Sequence, residues 1–180
     1  MSTIAAAVRA GVAEATVLDA FASVTVDVPR ESWVPALTAA YDGGATYFDF
    51  LTAYDELAAG FVVVVHASTP DAHDHVLVRA RLPRDDASIA TAVAVYRGAS
   101  WHERETHEMF GVTFTGTADD AALLLPPGFS GHPLRKDFVL ASRVAKPWPG
   151  DKDPADSTGK PRRRTLPPGV PAEWPAQGDT

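Results

Sequence analysis

Cysteine is absent from all 180 residues. Without thiols the chain cannot close a disulfide, hold an iron–sulfur cluster through thiolates or use a thiol nucleophile, so any redox centre must sit on another chain. Long apolar runs are missing too. Residues 4–8 are apolar, but Arg9 interrupts them. They are too short to span a bilayer and lack the basic start and long apolar core of a signal peptide. The expected setting is soluble and cytoplasmic. Excess positive charge is also lacking: the net charge is -7, and residues 1–145 hold 10 basic against 18 acidic side chains. That balance argues against nucleic acid as a partner. There is no glycine-rich phosphate loop, nucleophile elbow or Walker-type lysine.

What is present suits one folded domain, residues 1–145, followed by a tail, 146–180. Val8, Val12, Ala15, Leu18 and Phe21 recur at helical spacing and predict one amphipathic helix over 3–22. Residues 23–28 alternate as a strand does, until Pro29 breaks the run. A second helix is expected over 31–41, with Pro35 tolerated in its first turn and Gly43-Gly44 closing it. Strands are expected at 46–51, 61–67 and 75–82. The four valines 62–65 suit a central strand, and 68–74 a hairpin loop. Residues 82–86 predict a turn and 87–97 a short helix. The fold class is therefore α+β, a small mixed or antiparallel sheet with helices packed on one side. Eight of the 15 prolines fall in 146–180, which predicts an extended arm that Trp148 and Trp174 anchor on a neighbour.

The densest chemistry lies in Ser100-Trp-His-Glu-Arg-Glu-Thr-His-Glu-Met-Phe-Gly111 and Gly131-His-Pro-Leu-Arg-Lys-Asp-Phe138. The first predicts a helix with Ser100 and Glu103 as a capping box, Arg104 and Glu108 as an i,i+4 pair, and Gly111 as the stop. Those local roles leave Glu105 unexplained. It shares a stripe with Trp101 and Met109 and needs a base or a row of N–H donors. In the second segment Pro133 prevents a regular helical start, so Arg135 and Lys136 are expected to project from an extended loop beside Asp137. Charge this dense beside bulky apolar groups predicts a docking surface. His102, Glu103 and His107 resemble a zinc-protease motif, but the two histidines are five apart and diverge by about 140° around a helix. Neither a metal ligand set nor a catalytic residue is expected. Asp71, His73, Asp74 and His75 have metal-binding chemistry, yet fit a solvated hairpin tip better.

Together, Glu103-Arg-Glu-Thr-His-Glu-Met-Phe-Gly111 and Gly128-Phe-Ser-Gly-His-Pro-Leu-Arg-Lys-Asp-Phe138 closely resemble the two signature segments of a known family. It is the thirty-kilodalton subunit family, the C subunit of respiratory NADH:quinone oxidoreductase (complex I). Upstream, Tyr47-Phe-Asp-Phe-Leu-Thr-Ala-Tyr-Asp55 is similar to the family's strand and turn, and residues 61–82 to its hairpin. Thr117 and Ala121 depart from it, standing where the family usually has a histidine and a basic residue.

The resemblance implies a non-redox structural subunit in the peripheral arm of a proton-translocating NADH:quinone oxidoreductase. It implies packing against the D subunit, which helps form the quinone site, with the B and I subunits nearby, on the cytoplasmic side of the cell membrane. It implies no cofactor in this chain; NADH, FMN, iron–sulfur clusters and quinone belong to the rest of the complex. Interface roles follow for Glu103, Arg104, Glu105, Glu108, Phe110, Gly131, His132, Pro133, Leu134, Arg135, Lys136, Asp137 and Phe138. The alternative is the equivalent subunit of a membrane-bound hydrogenase or an F420-linked dehydrogenase. A stand-alone metal-dependent hydrolase is a different class, disfavoured by the histidine spacing.

Overall fold

The computed structural model describes residues 2–20, 23–117 and 121–139. The boundary expected at 145/146 and the proline-rich arm lie outside them. Ten main elements follow in chain order: α1 Thr3–Gly11, β1 Thr16–Ala20, β2 Ser23–Val28, α2 Trp33–Asp42, β3 Tyr47–Asp55, β4 Phe61–Ser68, β5 His75–Leu82, β6 Ser88–Ala90, α3 Ala99–Phe110 and β7 Thr113–Thr115. Five strands form one sheet in the order β1-β2-β5-β4-β3. β2 and β5 run parallel and the other neighbours antiparallel. β6 and β7 make a separate parallel pair. The mixed-sheet α+β class is thus the one observed.

The valine run makes β4 the central strand of the β3–β5 meander. Every residue of β4 except His66 is buried. Val63, Val65 and Ala67 face the main core, where Ile4 and Val8 of α1 and Trp33 and Leu37 of α2 are fully buried. Val62 and Val64 alternate to the opposite face, between Tyr54 and Arg81 and between Thr52 and Arg79 in the cross-strand register. The long arginine stems shield that side while their charged ends reach water. Arg79 forms a forked pair with Asp27, at 2.6 and 2.8 Å.

Helix α2 starts and stops close to expectation. Pro35 lies in its first turn, and Gly43 and Gly44 donate back to Ala39 and Tyr41 at its end. Helix α1 begins on two oxygen acceptors. The Ser2 hydroxyl accepts from Ala5 N–H, and Asp74 accepts from Thr3 N–H, Thr3 Oγ1 and Ile4 N–H. Burial opposes ionisation of Asp74, but these donors outweigh it and bring its pKa down to about 2. The hairpin tip is therefore more than solvated loop: Asp71 and His73 are exposed, whereas Asp74 ties the tip to α1.

Two predicted helices fail. The helix over 3–22 ends at Gly11, and Thr16–Ala20 instead pairs antiparallel with β2. The β-branched Thr16 and Val17 suit that pairing, and Val8, Val12 and Ala15 are buried in either reading. The helix over 87–97 is replaced by β6 and a run of turns. Its backbone is claimed from outside: Thr113 N–H donates to Ala87 O, and Ala92 N–H donates to a Glu103 oxygen. Tertiary partners override the weak local propensity here.

Candidate functional site

Helix α3 lies along the edge strand β3. His102 Nδ1 stands 3.2 Å from Leu51 O, and its ring packs edge-on to Phe48. An edge covered in this way is not open for strand pairing. At the other end Gly111 takes the left-handed conformation, φ 72°, and donates to His107 O at 2.7 Å, as expected of the stop. The start differs. Gly98 is the N-cap, and no side chain caps it. Ser100 and Glu103 do not form a capping box because the Glu103 carboxylate is turned inward, 2% exposed. It accepts from Ala92 N–H at 2.6 Å and from Thr91 Oγ1 at 2.7 Å. Burial raises its pKa against those two donors.

A row of N–H donors, one of the two kinds of partner expected for Glu105, serves Glu108 instead. Glu108 accepts from the backbone N–H groups of Leu123, Leu124 and Leu125 at 2.9, 2.7 and 3.3 Å. Burial opposes its ionisation, but the three amides and the nearby Arg104 charge hold its pKa below the usual carboxylate range. The charge of Arg104 acts on Glu108 from nearby, while its hydrogen bonds go elsewhere. Arg104 donates to Ala121 O and Ala122 O at 2.8 and 3.0 Å and lies over the Trp101 ring. Glu105 is exposed. With Trp101, His102, Leu123 and Leu124 it lines a shallow groove.

The second motif closes the C-terminal end of this helix. His132 Nδ1 approaches Glu108 O at 2.8 Å, Leu134 N–H donates to Met109 O at 3.1 Å, and Arg135 Nε donates to Phe110 O at 2.5 Å. Three orphan carbonyls thereby find donors, and positive charge lies at the negative end of the helix dipole. Arg135 is therefore not simply projected outward. Its guanidinium carbon lies 5.1 Å from the centre of the buried Phe61 ring, and so does that of Arg84. Phe61 also meets Phe110 edge-on. Gly131, φ 97°, leaves room for the Phe138 ring, which stacks on Phe129.

Sequence reasoning missed the centre of this clasp, Asp55 at the end of β3. It is 3% exposed. It accepts from Leu57 N–H at 2.7 Å, Arg84 Nη1 at 2.8 Å and Lys136 N–H at 2.9 Å. Burial pushes its carboxyl up, but the Lys136 and Leu57 amides and the Arg84 charge outweigh that and hold it low. Arg84 also reaches Asp137 at 2.5 Å. The one available signal was position: Asp55 ends the family-like strand segment, and Arg84 closely follows β5.

Of the predicted interface residues, Glu103, Arg104, Glu108, Phe110, His132 and Arg135 thus have partners inside the domain, and the exposed Asp137 pairs with Arg84. Pro133 and Phe138 are half-buried, and Glu105, Gly131, Leu134, Lys136 and Asp137 are exposed. Large apolar side chains are exposed in and between these segments and just after the second: Trp101 (62%), Leu124 (56%), Phe129 (43%), Leu134 (55%) and Val139 (77%). Among the described residues, no three His, Asp or Glu side chains converge as metal ligands, and no helix is long and apolar enough to cross a membrane.

A sequence-family profile described as "Respiratory-chain NADH dehydrogenase, 30 Kd subunit" matches residues 26–144. The C subunit of NADH-quinone oxidoreductase from Brucella abortus is 35% identical over 130 residues, which is 69% of this chain and 64% of that relative. The C/D subunit of NADH-quinone oxidoreductase from Cronobacter sakazakii is 40% identical over 91 residues, 51% of this chain and 15% of the relative. The chain thus spans less than two thirds of either. Among solved structures, the trypsin-resistant fragment of Nqo5 has a TM-score of 0.55 at 22% identity, over 62% of this chain and 92% of that one. A chain of the membrane-bound sulfane sulfur reductase, an archaeal respiratory membrane complex, has a TM-score of 0.68 at 24% identity, over 81% and 93%. Both share the fold.

Proposed function

Since the chain belongs to the family of the 30 kDa subunit of respiratory-chain NADH dehydrogenase, we propose that it is a non-redox subunit of the peripheral arm of a proton-translocating NADH:quinone oxidoreductase. It supports electron transfer from NADH to quinone by holding the quinone-site D subunit, with the B and I subunits as neighbours, on the cytoplasmic side of the membrane. NADH, FMN, the iron–sulfur clusters and quinone are held by the other subunits.

The observation that carries this reading is the groove on α3. Trp101 and Leu124 are more than half exposed there beside the Glu105 carboxylate, on a helix whose other charged groups are tied down from within. A rigid apolar patch with a charged rim suits a protein partner. Relatives named as a C/D subunit, in which both letters label one chain, support the D subunit as that partner. The likeness to the sulfane sulfur reductase favours one second reading, the equivalent subunit of a related membrane-bound complex such as a hydrogenase or an F420-linked dehydrogenase.

Purification through a tag on this chain, followed by mass spectrometry, tests both readings. The D subunit together with an NADH-binding flavoprotein is the expected result. A hydrogenase or F420-linked partner set would transfer the chain to the second reading, and a stable monomer without partners would overturn both. Trp101→Asp should leave the melting temperature of the chain nearly unchanged and lower recovery of the complex.

A further inference from the structure

We propose that the outer face of the five-stranded sheet carries an exchangeable transition-metal site whose ligands are His66 and His75. The site is remote in role from the α3 groove, and none of the docking residues takes part in it.

His66 is the one residue of β4 that is not buried. A register irregularity between Phe48 and Phe50 puts a bulge at Asp49 in the neighbouring strand. Bulges re-aim side chains, and here Asp49 Oδ2 lies 2.9 Å from His66 Nδ1. Phe50, opposite His66 in the register, stacks on the imidazole with ring centres 5.5 Å apart and planes inclined by 23°. The ring is thus oriented at its edge by a carboxylate and on its face by an aromatic. A carboxylate on Nδ1 keeps the proton there and leaves Nε2 with a free lone pair, as outer carboxylates do for metal-binding histidines.

That lone pair meets a second imidazole. His75, diagonal to His66 across the β4–β5 ladder, places Nδ1 3.1 Å from His66 Nε2, with ring centres 5.4 Å apart and planes at 81°. Two nitrogens bound to one zinc at the usual bond length and tetrahedral angle stand about 3.3 Å apart. Turning the rings so that both lone pairs leave the N···N line by about 35° and converge on one ion converts the hydrogen bond into a chelate. His75 moves its proton from Nδ1 to Nε2, so no proton is gained or lost, and water fills the remaining positions.

Imidazole donors select borderline divalent ions, with Cu²⁺ above Ni²⁺ and Zn²⁺, over Mg²⁺ or Ca²⁺. With two protein ligands rather than three or four, the ion is exchangeable and the fold does not depend on it.

The test is calorimetric titration of the untagged, chelator-treated full chain with CuCl₂ and ZnCl₂, together with electron paramagnetic resonance of the copper form. One saturable site with two coupled nitrogens is expected. His66→Gln and His75→Gln, which keep volume and polarity, should each lower the affinity at least tenfold, and Asp49→Asn by about tenfold. His73→Ala, at the exposed hairpin tip, should change nothing. The proposal is overturned by the absence of a saturable site, by unchanged affinity in His66→Gln or His75→Gln, or by a loss in His73→Ala equal to that in His75→Gln.

Discussion

Arg135 donates from Nε to the carbonyl of Phe110 at 2.5 Å, so the second charged motif completes the helix that carries the first. Their association is physical as well as sequential. Much of the charge that marks both motifs meets backbone N–H and C=O groups within the domain, and what is left exposed is apolar surface with Glu105 and Lys136 beside it.

Arg135→Ala should destabilise the full chain by about 1 to 3 kcal/mol, because a charged donor to a helix-terminal carbonyl and a contact with Phe61 are lost together. Lys136→Ala should stay within about 0.5 kcal/mol, since its ordered contact is made by the backbone N–H to Asp55. Denaturant unfolding of both variants checks the difference, and equal losses would mean that the side chain of Arg135 does not hold the clasp.

Gly111→Ala should be destabilising on two counts. Its φ of 72° strains alanine, and a Cβ there would meet Arg135 Nη2 and stand 2.6 Å from His132 Nε2. Gly111→Asn tolerates the left-handed backbone but retains the crowding. Thermal unfolding should therefore show both variants below the parent; an Asn variant as stable as the parent would remove the crowding argument.

Asp55, Asp74 and Glu108 all have lowered folded pKa values. Each therefore binds fewer protons folded than unfolded, and its contribution is complete above the ordinary carboxylate value. The contribution is lost as pH falls through the folded value. For Asp74 that window runs from about 4 in the unfolded chain down to about 2. Acid titration of stability should show Asp74→Asn less stable than the parent at neutral pH and less sensitive to pH across this window.

Glu103→Gln should be tolerated better than Glu103→Ala. An amide oxygen can still accept from Ala92 N–H, while Thr91 Oγ1 can turn to accept; the Ala variant leaves a buried amide without a partner, at about 1 to 3 kcal/mol. Ser100→Ala should stay within about 0.5 kcal/mol because Gly98, not Ser100, is the N-cap. A loss near ~1 kcal/mol in Ser100→Ala would restore the capping role.

Local signals made much of the fold legible. The valines of β4, the alternation of β5 and the Pro35 and Gly43 punctuation of α2 each announce their element within a few residues. The failures share a cause. Thr16 to Ala20 became a strand because β2 offers it an edge, and Ala92 left the expected helix because Glu103 takes its N–H. Likewise, Glu108 meets its donors 15 to 17 residues away, and Asp55 meets Lys136 81 residues away. Composition and periodicity report on neighbours in sequence, so they found the charged residues of the two motifs but neither Asp55 and Arg84 nor the carbonyls and amides that the motif charges would meet.

The parallel pairing of β2 with β5 also has a kinetic consequence. β3, β4 and β5 follow one another through two short turns, whereas Asp27 and Arg79, which join β2 to β5, are 52 positions apart. Loop closure over that distance is entropically slower than hairpin formation. The β3–β5 meander is therefore the natural nucleus of folding, and the β1–β2 hairpin adds to its β5 edge late. Substitutions along Val63 and Val65 should retard refolding, while those at the Asp27–Arg79 fork should chiefly hasten unfolding.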